Sequence, residues 1–546
     1  MIIQMKQRLQ RLSYCITTLL VLLMLSGCER SNAPSGLVYC SEGNPESFNP
    51  QTTVSNLTTD ATFHQIYNGL IDYKTVKGDM EGALAKNWNV SQDGLVYTFI
   101  LRDDIHFHHT PYFSPTRSLN ADDVVFSFNR VLDKNHPFHS VSITGYPFFE
   151  SLAFSKRVKK IVKLDDYKVA FHLYQKDASF LSTLSSAHSI ILSKEYANHL
   201  IQTNTPLRTI DWQPIGTGAF IFIEYLPNEY IRYRRNDDYW KKLPTFEQLI
   251  FNIFTNNIKR LSHFITNDCE VSALPKISDI NYIRKNKDIT IDVQEGHNLA
   301  YLAFNMNKPP LDDIRVRQAI SYAINRKNLL HSVYKDTARE ATNILPPSSW
   351  AFEKRTNNIH YNPIKAKKLL REAGLSQLKL NIWVQYAARV YNTDAEKMAV
   401  LIQADLNHVG IEISIIPFTW ADFEHRDIQS YDTILTGWNA TNTDPNDFFY
   451  PLFSCAGIAP SNNLSRWCDP TLDTLLDKAR SIQDKVERKK LYQQAENRIE
   501  SMYPILPIAH AKEVTLLNKS LSSSQINPYN GIAFENIHIK SSEGKH

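Results

Sequence analysis

Across residues 301–417 the spacing of apolar residues switches repeatedly between a helical period and a strand period, and few folds accommodate that alternation. Val316, Ala319, Ile320, Ala323 and Ile324 lie on one helical stripe, with Asp312 or Asp313 placed to cap its first turn. Asn362 and Pro363 open a second helix, proline taking the first position, where its missing N–H does no harm, and Gly374 closes it. Leu378, Leu380 and Ile382 then alternate as a strand. A third helix carries Met398, Leu401, Ile402 and Leu406 and stops at Gly410, after which Ile411, Ile413 and Ile415 alternate as the next strand. Helices interleaved with strands predict an α/β layered domain, because each strand needs a helix to cover its apolar face.

Other segments support a large folded chain. Residues 84–101 predict a hairpin, with Asp93 and Gly94 at the turn and Tyr97, Phe99 and Leu101 on one face. Asn120 can accept from the first-turn amides of a following helix, and Asp122 and Asp123 suit its positive end. Asp469 and Pro470 open a late helical region reaching roughly Met502. A chain of 546 residues holds at least two domains, and 43% hydrophobic with 21% charged residues leaves no case for disorder.

The N-terminus sets the compartment. Lys6, Arg8 and Arg11 precede an apolar core from Ile16 to Leu25, the length of a signal h-region and too short to span a bilayer. Leu25-Ser26-Gly27-Cys28 then resembles a bacterial lipobox, with cleavage after residue 27 and lipid on Cys28; an ordinary signal peptide with an incidental cysteine is the alternative. Residues 28–36 are polar with Gly and Pro and read as a tether. The formal charge of +4 falls when three leader cations are removed, so the exported chain is near neutral and nucleic acid is not an indicated partner. Cys40, Cys269, Cys455 and Cys468 remain, an even number that suggests two disulfides in an oxidising compartment. Closing the short loop between Cys455 and Cys468 is worth about 3 kcal/mol in the loop-entropy model. A metal site is the other use of these cysteines, without the C-x-x-C or paired-His spacing that would favour it.

Enzyme signatures are missing: no phosphate loop, no H-E-x-x-H helix and no G-x-S-x-G elbow occurs. Gly216 and Gly218 suit a tight turn before a strand at residues 220–222 rather than a dinucleotide site. His106, His108 and His109 could bind metal or haem iron; in a strand, His106 and His108 share a face and His109 points away, and a solvated strand end is the plainer reading. Trp383, Tyr386, Tyr391, Trp420, Trp438 and Tyr450 fall in one span and suit a ligand cleft, whereas Phe448 and Phe449 read as core. Arg389 follows a predicted strand, among aromatics, where a guanidinium can grip a carboxylate with two parallel bonds or simply sit on the surface.

Several stretches resemble the dipeptide- and oligopeptide-binding proteins of bacterial ABC importers. They are LVYCSEGNPESFN at 37–49, LAKNWNVSQDG at 84–94, NADDVVF at 120–126, PIGTG at 214–218, YLAFN at 301–305, VRQA at 316–319, AIN at 323–325, FSC at 453–455 and WC at 467–468. KDASFL at 176–181, ILPPSSW at 344–350, LSRWCD at 464–469 and PILP at 504–507 are similar to the Sap-type branch, named for sensitivity to antimicrobial peptides.

The resemblance implies an α/β, two-lobed periplasmic-binding-protein type II fold with an extra subdomain in the N-terminal lobe, closing on ligand by hinge motion. Its expected boundaries are 1–27 signal peptide, 28–36 tether, 37–66 with 214–297 and 515–546 lobe I, 67–213 the extra subdomain, and 298–514 lobe II. It implies Cys40–Cys269 and Cys455–Cys468 pairings. It implies a monomeric, non-catalytic, cofactor-free receptor in the periplasm. That receptor captures peptides, antimicrobial peptides among them, and delivers them to an inner-membrane ABC permease.

Arg389 stands where the dipeptide relatives hold the ligand carboxylate, with Tyr391 beside it and Trp420 and Trp438 as cleft walls. Those relatives hold the ligand amine with an aspartate after Gly437-Trp438; here Thr441 occupies that place, and a hydroxyl supplies no counter-charge. Asp444, three residues on, is a possible substitute, although Asp444-Pro445 also reads as a structural turn. Three alternatives stay open at this point: haem binding in the same cleft, a metallohydrolase using the His106 cluster, and a surface adhesin.

Overall fold

One strand, Ile505–Asn518, is long enough to belong to two lobes. Its 14 residues span about 45 Å. Residues 505–509 pair antiparallel with Asn298–Phe304, and residues 512–518 pair antiparallel with Ile289–Glu295. The strand therefore leaves one lobe and enters the other without a break, and Gly296-His297 carries the chain across beside it. The computed structural model describes residues 36–73, 79–142, 145–335, 337–355, 359–418, 430–459, 462–523 and 531–540. The leader, Cys28 and most of the expected tether lie outside those residues.

On one side, the sheet continues through Val271–Ala273, Gly36–Ser41, Gln248–Ile253, Tyr230–Arg235 and Phe220–Leu226. On the other, it runs through Asn298–Phe304, Thr433–Asn439, Leu378–Val384 and Ile411–Pro417. The alternation read between residues 378 and 415 appears as parallel pairing of Leu378 with Ile411, Leu380 with Ile413 and Ile382 with Ile415. Helix Ala395–Asn407 covers these strands with Met398, Ile402 and Leu406, and Gly410 ends its turn at a φ of 92°. The mixed α/β architecture expected from the alternation is present.

A separate four-stranded antiparallel sheet, ordered Ala85–Val90, Val96–Leu101, Lys168–Leu173 and Val158–Asp165, belongs to the first lobe's core. Its first pair is the expected hairpin, with Tyr97, Phe99 and Leu101 buried and their neighbours half-buried. Helix Ala121–Leu132 has the expected cap: Asn120 Oδ1 accepts from Asp122 N at 2.9 Å, and Asp123 Oδ2 accepts from Asn120 N at 2.9 Å. The late helical region is two helices, Pro470–Ser481 and Lys485–Met502, because Asp484 caps the second by accepting from Glu487 N at 2.8 Å. Among the described residues no helix is long and apolar enough to cross a membrane.

Two disulfides form. Cys40 with Cys269 (Cα–Cα 5.7 Å) ties the first strand to the neighbour of its sheet partner, and Cys455 with Cys468 (4.5 Å) closes the short loop. The first bond spans 229 residues and the second 13. Loop entropy accordingly assigns about 5 kcal/mol to the first and about 3 kcal/mol to the second. Cys40→Ala/Cys269→Ala is expected to lower the thermal midpoint more than Cys455→Ala/Cys468→Ala, and equal midpoints in calorimetry would refute that ranking.

Candidate functional site

The two strands that cross between the lobes are clamped together. Asn298 Nδ2 donates to Ala511 O at 3.0 Å while Ala511 N donates to Asn298 Oδ1 at 2.9 Å, so one side chain satisfies both backbone groups of the opposite strand. A Cβ on Gly296 would sit 2.2 Å from Ala511 O, so this approach requires glycine. Buried His510 donates from Nδ1 to Asn298 O at 2.7 Å, and burial pushes its imidazole down to about 4, so it stays neutral at the crossing.

A cavity of about 70 Å3 lies beside this crossing, between the lobes. Glu42, Asp60, His188 and Ile532 line it from the first lobe, Glu513 and Thr515 from the crossing strand, and Val390, Asn439 and Thr441 from the second lobe. The lobes also touch directly: Ser186 Oγ donates to Thr441 Oγ1 at 3.0 Å, and Thr443 N donates to Tyr73 OH at 3.2 Å.

The electrostatics of the cavity are acidic. Burial, with Glu42 nearby, pushes the Asp60 carboxyl up to about 8. Burial, with Asp60 nearby, pushes Glu513 up to about 8. His188 donates from Nδ1 to Pro50 O at 2.6 Å and stacks on Phe148, and burial brings it down to about 4, so it adds no positive charge. In the folded chain the two carboxyls hold protons up to about 8, but unfolded carboxyls lose them near 4. Rising pH therefore withdraws stability between those values. Asp60→Asn/Glu513→Gln escapes that loss, so its thermal midpoint relative to the parent is expected to rise from about pH 5 to about pH 8. A difference that stays constant across the interval would refute this.

The sequence-derived site residues are distributed unevenly. Strand Leu378–Val384 delivers the chain to a tight turn in which Arg389 and Asn392 exchange backbone hydrogen bonds at 3.0 and 2.9 Å. The half-buried Arg389 guanidinium has no carboxylate within 4 Å among the described residues, and its neighbour Val390 lines the cavity. The Tyr391 ring lies flat against Gly437, where a Cβ would come within 2.3 Å of it. Trp438 Nε1 is buried without a hydrogen-bond partner. Thr441 reaches the cavity, but its N and Oγ1 both bond Asp447 Oδ2, at 2.7 and 3.2 Å. Trp420 lies outside the described residues.

Two expectations need correction. Asp444 is buried and accepts from Arg488 Nη2 at 2.8 Å, so its charge is met by an internal arginine and it cannot stand in for an amine-binding aspartate. His106 and His108 do not share a face. The segment is not a continuous strand; His106 is exposed opposite Ser118, while His108 is buried with Nε2 donating to Gly218 O at 2.9 Å. Among the described residues no group of three His, Cys, Asp or Glu side chains is placed to hold a metal ion. Glu42, Asp60, Asn439 and Glu513 were not foreseen, because they lie as far as 471 positions apart and none belongs to a local motif.

Residues 79–460 match the family model for bacterial extracellular solute-binding proteins, family 5, middle region. The chain is a family 5 solute-binding protein. It is 37% identical over 505 residues to a probable ABC transporter periplasmic-binding protein, SapA, of Escherichia coli, with 92% of each chain covered. It is 38% identical over 506 residues to the dipeptide-binding protein of the same organism, covering 92% of this chain and 94% of that one. A dipeptide-binding protein from Pseudoalteromonas sp. SM9913, solved with Met-Leu, superposes with a TM-score of 0.89 at 38% identity, covering 92% of this chain and all of that one. As a member of family 5, this chain is an extracellular solute-binding protein and not an enzyme, and the SapA relative is described as periplasmic.

Proposed function

We propose that this family 5 protein captures a peptide between its lobes and delivers it to an inner-membrane ABC permease, tethered by lipid on Cys28 and acting as a monomer. The observation that supports this most strongly is whole-length agreement with a solved peptide complex, together with a cavity lined from both lobes and from the strand that joins them. Lobe I comprises 37–66, 214–297 and 515–546, the subdomain 67–213, and lobe II 298–514. Closing the lobes over the ligand would hide the main-chain groups that any peptide shares, which tolerates varied side chains.

Native mass spectrometry of residues 29–546 purified from cells tests this reading. Bound masses that resolve into peptides are the expected result; a bound haem with its absorption band would overturn it. Within the site, Arg389 takes the ligand carboxylate, since its guanidinium carries no carboxylate partner among the described residues. Arg389→Ala is expected to weaken a free-carboxylate peptide roughly 10- to 150-fold, the worth of a charge-assisted pair, and its amide hardly at all. Equal loss for both would exclude that role.

A further inference from the structure

The inter-lobe cavity has an excess of acceptors with nothing to accept from. Glu42, Asp60 and Glu513 all line it, and among the described residues no Lys, Arg or His nitrogen lies within 4 Å of their carboxylates. Among the described residues Glu42 accepts only from the Tyr39 hydroxyl, at 3.3 Å, and Asp60 Oδ1 accepts from Ile532 N, at 3.1 Å. Glu513 Oε1 is fully shielded from solvent and has no hydrogen-bond partner among the described residues. Asn439 Oδ1, reaching the same cavity from the second lobe, is likewise shielded and unpartnered.

Buried acceptors without donors are costly and rare, and two of them facing one cavity, one from the crossing strand and one from the second lobe, call for a donor that arrives from outside. Three acidic side chains around it favour a positive donor, which Asp60 and Glu513 meet by giving up their protons.

We propose that Glu42, Asp60, Glu513 and Asn439 form a cation subsite that binds an ammonium or guanidinium group of the ligand when the lobes close. It rests on the inter-lobe cavity being the ligand site, as proposed above. It replaces the missing aspartate at position 441 with acids from the other lobe and from the crossing strand, so the positive group is gripped at the hinge. The raised proton affinities of Asp60 and Glu513 agree with this, since a cation entering the cavity supplies the positive charge that favours their ionised forms. The amine terminus of a peptide and a basic side chain present the same chemistry to these acids.

The test uses the full mature chain and two sets of probes. Ethylguanidinium alone is expected to raise the thermal midpoint of the parent but not of Asp60→Asn/Glu513→Gln, whatever peptides do. No shift in the parent, or an equal shift in the variant, overturns the subsite. In titration calorimetry, Ala-Ala-Ala and N-acetyl-Ala-Lys-Ala are compared with N-acetyl-Ala-Ala-Ala. Glu513→Gln is expected to weaken at least one cationic peptide tenfold or more and to leave the neutral one unchanged; which of the two loses affinity identifies amine terminus or side chain. Neutral and cationic peptides binding with equal affinity overturns the subsite while leaving peptide capture intact. A guanidinium shift without binding of any peptide keeps the subsite and removes peptide capture.

Discussion

Arg480→Ala is expected to lower the unfolding free energy by about 3–5 kcal/mol, the loss measured when one partner of a buried ion pair is removed. Arg480 and Asp177 are 2% exposed each and meet at 2.6 Å. The pair joins helix Pro470–Ser481 to the chain beside the small four-stranded sheet, where Ala178 N also donates to Arg480 O at 2.6 Å. The guanidinium further donates to Leu152 O at 3.2 Å and lies 4.7 Å from the Tyr450 ring centre. Truncating it leaves Asp177 charged in a dry site. The double change Asp177→Leu/Arg480→Met removes both charges and is expected to recover most of the loss. Urea denaturation distinguishes these outcomes: if the double variant is as unstable as Arg480→Ala, the charge argument fails and lost packing is the cause.

Gly437→Ala is expected to cost roughly 3 kcal/mol, the upper range for overpacking, and to weaken ligand binding as well. The added Cβ would stand 2.3 Å from the Tyr391 ring and 2.6 Å from Leu299 O. The first neighbour can move and the second is backbone of the paired strand, so the strain falls on Tyr391 and through it on the Arg389 turn. The variant should therefore lose both thermal stability and affinity for a free-carboxylate peptide, at least tenfold in the latter. Unchanged affinity beside a lowered midpoint would show that Tyr391 does not position Arg389.

The contrast between legible and hidden features follows from distance along the chain. Period, caps and breaks are properties of neighbouring residues, so the strands at 378–384 and 411–417, the Asn120 cap and the hairpin at 85–101 were all readable locally. At the His106 segment a strand period does not hold, because only an isolated bridge forms there. Asp444 offered the right charge near the right place, and only the packed helix carrying Arg488 reveals that the charge is already used.

The sequence by itself determined the α/β class and the family motifs along its length, because each is carried by spacing within a few residues or by ordered local patterns. Only the tertiary structure decided which acids share a cavity. Glu42, Asp60 and Glu513 become neighbours because a single strand crosses both lobes and brings residue 513 back to the first of them. The raised proton affinity of Asp60 and Glu513 exists only once that crossing is made.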